Sequence, residues 1–319
     1  MKLKNVVVAG GGVLGSQIAF QSAYCGADVT IWLRSKDSIT RTQPKLDKLK
    51  ESYIAAIEAM DKPEGKMPGT WCMGIADVDK FDKKECLAKV EKAYSSIKLE
   101  LDMAKAVADA DIVVESMAEN VKDKVAFYKA LAPFLPEKTI LVTNSSTLLP
   151  SQFAKYTGRP DKYCSLHFAN SIWKNNTAEV MSQKLTDPKV FDEVMNFASE
   201  IRMIGLPLHK EKNGYLLNSM LVPLLFSAMD LYVNGISDPK SIDTAWKRGT
   251  GAPNGPFEIL DVVGITTAYN IVSMYLKVPS FLAPYNFKGQ AKLLKEMIDA
   301  GKLGRATGEG FYKYWYLYN

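Results

Sequence analysis

The run Gly10-Gly11-Gly12-Val13-Leu14-Gly15 constrains this chain more than any other. Directly before it stands an unbroken apolar stretch, Val6-Val7-Val8-Ala9, and directly after it residues 14–25 read as a helix closed by Gly26. A buried strand, a glycine turn and a helix in that order form the context in which GxGxxG acquires physical meaning. Gly10 permits the tight turn, Gly12 lets the backbone approach a pyrophosphate, and Gly15 lets the helix pack on the strand. Val13 and Leu14 open the helix, where free N–H groups and the positive end of the dipole face phosphate oxygens. Gly10, Gly12, Val13, Leu14 and Gly15 are therefore the expected contacts of a dinucleotide.

The same alternation continues. Residues 29–33 read as a second strand, and Leu46, Leu49, Tyr53, Ile57 and Met60 recur at helical spacing. Lys62-Pro63-Glu64-Gly65 breaks the chain, and a charged helix is expected over 79–92. Residues 97–101 alternate as a strand, and 112–114 and 140–142 are short buried strands separated by a helix over 121–131. Past Lys210-Glu211-Lys212-Asn213-Gly214 the pattern becomes helical, over 215–234, 239–248, 256–277 and 287–300. The expected fold is α/β: an N-terminal Rossmann domain with a doubly wound parallel sheet over 1–210, carrying a helical arm at about 44–92, then an all-α C-terminal domain over 211–319. A length of 319 residues suits two domains.

An apolar share of 47% and a charged share of 24% exclude disordered and collagen-like classes. The net charge of +5 is too small to imply nucleic acid, but it favours an anionic small molecule. Cys25, Cys72, Cys86 and Cys164 show no CxxC pairing and read as reduced thiols, so a cytoplasmic location is expected. No signal-peptide core is recognised, and the longest apolar stretch, 216–229, is shorter than a membrane span and interrupted by Asn218 and Pro223. No membrane partner and no metal are expected.

The end of the second strand selects between cofactors. NAD-binding units place Asp or Glu there to accept from the ribose 2′-OH. Here Val29-Thr30-Ile31-Trp32 runs into Leu33-Arg34-Ser35-Lys36. Arg34 would bind a 2′-phosphate bidentately, with Ser35 as hydroxyl donor and Lys36 as a second charge, so NADP(H) is expected over NAD(H).

Only two histidines occur, His167 and His209. His167 gains interest from its company. Asn144-Ser145-Ser146-Thr147 follows a buried strand at the sheet edge where open α/β sheets bind ligands, and Glu179 lies where a return strand would bring it beside the imidazole.

These residues carry a resemblance. Val113-Val114-Glu115-Ser116-Met117-Ala118-Glu119-Asn120, Asn144-Ser145-Ser146-Thr147-Leu148, Leu166-His167-Phe168 with Glu179 twelve residues later, Gly214-Tyr215-Leu216-Leu217-Asn218, Gly251-Ala252-Pro253-Asn254-Gly255-Pro256-Phe257-Glu258 and Thr307-Gly308-Glu309-Gly310-Phe311-Tyr312 resemble, in order, the motifs of the L-3-hydroxyacyl-CoA dehydrogenase family. The Asn144–Ser151 and Asn176–Met181 segments are most similar to its diketoreductase branch. The resemblance implies a hydride transfer at C3 of a 3-hydroxyacyl or 3-ketoacyl compound. His167 would be the general acid/base, Glu179 would orient it, and Ser146 and Asn218 would hydrogen-bond the substrate oxygen. Glu115 would lie near the nicotinamide ribose, Asn144 among the cofactor contacts, and a homodimer would form through the helical domain.

Departures touch the pocket. Phe168-Ala169-Asn170-Ser171 stands where the family has Phe-Asn-Pro, and Asn213-Gly214-Tyr215 where it often has Pro-Gly-Phe, which leaves a CoA thioester and a free keto ester or acid both open as substrate. Two other readings remain. A reductase of non-CoA keto or sugar acids with a catalytic Lys four residues before the helix Asn is opposed by Gly214 at that place. A non-catalytic dinucleotide-binding or crystallin-like protein is opposed by the presence of His167, Glu179, Ser146 and Asn218 together.

Overall fold

The computed structural model describes residues 1–67, 69–279 and 281–314. The chain forms two compact units, Met1–Leu216 and Leu217–Asn319.

The first unit runs β1 (Asn5–Ala9), α1 (Val13–Tyr24), β2 (Asp28–Trp32), α2 (Lys36–Met60), α3 (Lys83–Ser96), β3 (Lys98–Glu100), α4 (Met103–Val107), β4 (Ile112–Glu115), α5 (Val121–Leu131), β5 (Ile140–Thr143), β6 (Tyr163–Phe168), β7 (Thr177–Met181), α6 (Pro188–Glu200) and β8 (Ile204–Leu208). The strands form one sheet in the order β3-β2-β1-β4-β5-β6-β7-β8. Alternate residues of β1 serve opposite faces: Val6 and Val8 join one apolar layer with Ile18, Phe20 and Tyr53, while Val7 and Ala9 join another with Phe127, Tyr128 and Leu131. Covering both faces is what makes these strands apolar throughout.

The doubly wound expectation holds, with one correction. β6 and β7 pair antiparallel, so the sheet is not wholly parallel. The connection between them, residues 169–176, is too short for a crossover, and the chain can only turn back on itself. α6 and β8 extend the sheet beyond the elements expected from periodicity; Gly205 and Pro207 interrupt the strand pattern of β8, and as the last strand in the order it tolerates the proline. In the arm, α2 begins at Lys36, ten residues before its apolar stripe, because the Ser35 side chain caps it, and it continues through Pro44. The charged helix lies four residues later than expected, since Asp82 is its cap.

The second unit is helical: α7 (Leu217–Val233), α8 (Pro239–Thr250), α9 (Pro256–Val263), α10 (Ile265–Ser273) and α11 (Phe287–Asp299). Leu225, Phe226, Met229, Phe257, Leu260, Ile265 and Leu294 form its core. The single helix expected over 256–277 is two, because Gly264 at φ +92° turns the chain between them. Buried Asp243 accepts from the N–H groups of Phe257 (2.8 Å) and Glu258 (3.0 Å), closing the start of α9. Among the described residues, no helix is long and apolar enough to cross a membrane.

Candidate active site

Strand order reverses between β1 and β4, and the carboxyl ends of those strands open the crevice where such sheets take ligands. The glycines there answer to separate constraints. A methyl on Gly10 would lie 2.6 Å from the Ser116 carbonyl oxygen beyond β4, and one on Gly15 would lie 2.1 Å from the Gly10 carbonyl. One on Gly11 would overlap Thr42, whose Oγ1 donates to the Gly11 carbonyl at 3.2 Å and ties α2 to the loop. A methyl on Gly12, in contrast, would meet nothing within 4 Å. Gly12 caps α1 without a side chain, no acid stands in the first turn, and Val13 is exposed. The result is a bare helix N-terminus beside open space, which fits a pyrophosphate. Leu33 is buried at the end of β2, while Arg34, Ser35 and Lys36 are exposed. Ser35 has a structural task as well: its Oγ accepts from Ser38 N at 3.4 Å. Arg41 reaches the same turn, donating to Ser38 Oγ at 3.1 Å.

The proton-handling residues lie on β6, β7 and the turn after β5. His167 and Glu179 are register partners across the antiparallel pair. His167 Nδ1 stands 3.0 Å from Glu179 Oε2, and His167 Nε2 stands 3.1 Å from Ser146 Oγ. The second Glu179 oxygen accepts from Leu216 N at 2.8 Å. Glu179 is 4% exposed and His167 9%, so the pair is shielded on the sheet while Ser146 remains half-buried at its edge. The carboxylate favours the tautomer with the proton on Nδ1, which leaves Nε2 as the site that exchanges a proton. Asn144 Oδ1 accepts from Phe168 N at 3.1 Å, locking the end of β5 to β6. Asn218 sits half-buried on the first turn of α7, in the second unit.

Glu115 does not take the place expected of it. It is fully buried, and its two oxygens accept from Met117 N (2.8 Å), Lys124 Nζ (2.6 Å), Tyr128 Oη (2.9 Å) and Thr143 Oγ1 (2.7 Å). A carboxylate so fully engaged anchors β4 to α5 and β5 and has no oxygen left for a ribose. The carboxylate that does reach the crevice edge is Glu119, which accepts from Ser145 Oγ (2.9 Å), Ser146 N (2.6 Å) and Thr147 N (3.3 Å).

Two matches cover the chain: the NAD-binding domain of 3-hydroxyacyl-CoA dehydrogenase over residues 5–211 and the C-terminal domain of the same enzyme over residues 214–314. The chain belongs to the 3-hydroxyacyl-CoA dehydrogenase family. It is 32% identical over 312 residues to human mitochondrial hydroxyacyl-coenzyme A dehydrogenase, covering 98% of this chain and 91% of that protein. It is 29% identical over 317 residues to 3-hydroxybutyryl-CoA dehydrogenase of Clostridioides difficile, covering 97% and 99%. A solved diketoreductase, described for the substrate-directed dual catalysis of dicarbonyl compounds, superposes with a TM-score of 0.83 at 46% identity over 98% of this chain and 99% of that one.

As a member of this oxidoreductase family, the chain is an enzyme acting on CH–OH with a nicotinamide dinucleotide, and its first unit is the family's dinucleotide-binding fold. Sequence reasoning missed three features of this site: the Glu119 clamp on the Ser146 turn, the buried Lys124 and the packing of Tyr215 on His167. Glu119 lies in the loop after β4 and Lys124 in the first turn of α5, and neither spacing nor composition distinguishes them there from ordinary surface charges. Among the described residues, no group of three or more His, Cys, Asp and Glu is placed to hold a metal ion.

Proposed function

We propose that this family member moves a hydride at C3 of a 3-hydroxyacyl or 3-ketoacyl compound, with His167 as general acid/base. The observation that carries the reading is the imidazole held between Glu179 and Ser146 at 3.0 Å and 3.1 Å. A nicotinamide dinucleotide held at the β1–α1 turn would supply the hydride acceptor in oxidation and the hydride donor in reduction at substrate C3. His167 Nε2 takes the hydroxyl proton in oxidation and returns it to the oxygen in reduction. Glu179 holds the tautomer and offsets the charge of the imidazolium. Ser146 Oγ donates to the substrate oxygen and fixes its direction, and the family resemblance makes Asn218 a further candidate for substrate contact. Gly10, Gly12, Val13, Leu14 and Gly15 hold the pyrophosphate, Asn144 lines the nicotinamide side, and Arg34 with Lys36 selects NADP(H) over NAD(H). The dinucleotide domain corresponds to the first unit, Met1–Leu216, and the helical domain to the second, Leu217–Asn319, a boundary six residues later than the expected 210.

Two observations bear on substrate and assembly. The 46% identity to a diketoreductase favours a free keto ester or dicarbonyl compound over a CoA thioester. In the helical unit Met220, Ile236, Met274 and Phe281 are each at least two-thirds exposed, which supports a homodimer through that unit. The four cysteines are free thiols, in keeping with a cytoplasmic enzyme.

The test is consumption of NADH and NADPH with acetoacetyl-CoA, a 3-keto ester and a 3,5-diketo ester, side by side. Turnover on at least one 3-keto compound is expected. Cofactor binding without turnover on any of them would sink the reading.

A further inference from the structure

Tyr215 is held in a conformation an aromatic residue rarely adopts. Its φ is +50°, directly after Gly214 at φ +80°. A bulky residue stays in this left-handed region only where its surroundings over-determine it. Tyr215 is 1% exposed, and burial pushes its phenol well up, so the hydroxyl is a neutral donor near neutral pH. That hydroxyl donates to the Ser145 carbonyl oxygen at 2.7 Å. Its ring lies on the His167 imidazole, with centroids 4.4 Å apart and planes 17° from parallel. The next peptide N–H, that of Leu216, donates to Glu179. One turn of chain therefore touches the imidazole, its carboxylate and the peptide beside Ser146.

The imidazole is tied at Nδ1 and Nε2, two points near opposite ends of the ring. Two such in-plane bonds leave one soft motion, a rocking of the ring about the line joining them. A stacked aromatic face blocks that motion, and its π-face also attracts a cation. We infer that Tyr215 is a positioning residue for the acid–base step: its ring fixes the plane of the His167 imidazole and favours its protonated form, and its hydroxyl fixes the Ser145-Ser146 peptide. The inference rests on the proton-transfer role proposed above for His167. Among the described residues, the ionisable groups that face this imidazole include Glu179 from β7, Tyr215 itself and, through Ser146 N, Glu119 from the loop after β4.

The chain has two histidines, so the ring resonances of His167 are assigned in one step by comparison with His167→Gln. Tyr215→Leu removes ring and hydroxyl; Tyr215→Phe removes the hydroxyl alone. In Tyr215→Leu, the His167 titration followed by NMR is expected to move down by about half a pH unit. The kcat for keto reduction should fall by roughly 10- to 100-fold with little change in KM, and its alkaline limb should move to lower pH in step with the titration. Tyr215→Phe should titrate as the wild type and lose roughly five-fold in kcat. An unmoved titration in Tyr215→Leu, or the same shift in Tyr215→Phe, overturns the role of the ring. Should Tyr215→Leu not fold, Tyr215→Phe decides, and a kcat equal to wild type overturns the inference. A wild type that turns over no 3-keto compound defeats the proposed function, while the NMR titrations still decide whether Tyr215 controls the imidazole.

Discussion

His167 and Glu179 face each other directly across the antiparallel β6–β7 pair, and this register brings Nδ1 and Oε2 to 3.0 Å. Two rigid strands fix the distance, with no loop involved. His167→Gln should abolish most turnover, by about 10²- to 10⁴-fold in kcat, while leaving cofactor affinity within about two-fold. Glu179→Gln should lower kcat less, since the amide still reaches Nδ1 but lacks the charge that offsets the imidazolium. Steady-state kinetics beside fluorescence titration of the reduced cofactor separates the two effects. Equal activity in His167→Gln would refute its role.

At the end of β2, Arg34 and Lys36 are exposed and Leu33 is buried. Arg34→Asp places a carboxylate against the expected 2′-phosphate while offering an acceptor for a 2′-OH. The dissociation constant for NADPH should rise by roughly 100-fold and that for NADH by less than about three-fold. Paired binding titrations check this, and an unchanged preference would remove the NADP(H) reading.

Gly10 and Gly12 belong to one motif but should fail differently. In Gly10→Ala the new methyl meets the Ser116 carbonyl at 2.6 Å, at a φ of +115°. Thermal stability should drop, by an amount typical of strain at a special backbone position, about 2–4 kcal/mol. Gly12→Ala adds a methyl into open space, so its melting temperature should match the wild type while cofactor affinity falls about ten-fold. Calorimetry and cofactor titration on both variants test the contrast.

Lys124 is buried with its Nζ 2.6 Å from Glu115. Lys124→Met leaves the Glu115 carboxylate with no cation beside it, and should destabilise the fold by about 3–5 kcal/mol. The double substitution with Glu115→Gln should recover much of that loss, because the uncompensated charge is gone. Denaturant unfolding of the three variants measures the coupling.

The sequence by itself determined the dinucleotide unit, the strand–helix alternation, the change to helices near residue 210 and the pairing of His167 with Glu179. Each is written in local chemistry: glycines between an apolar strand and a helix, apolar runs of strand length, and a return strand at the right interval. The break at Gly264 and the early start of α2 were not read from periodicity. They depend on a backbone angle and on a cap.

The roles of single carboxylates were decided only by the tertiary structure. Glu115 and Glu119 sit four residues apart in one motif, yet one is buried among four donors and the other clamps the turn that carries Ser146. Tyr215 is further evidence of the same kind, since nothing in Asn213-Gly214-Tyr215 announces a ring stacked on an imidazole 48 positions away. Sequence spacing sets which face of an element a residue occupies. The function of a buried polar group depends on which donors and acceptors other elements bring within 3 Å of it, and only the folded chain assembles those.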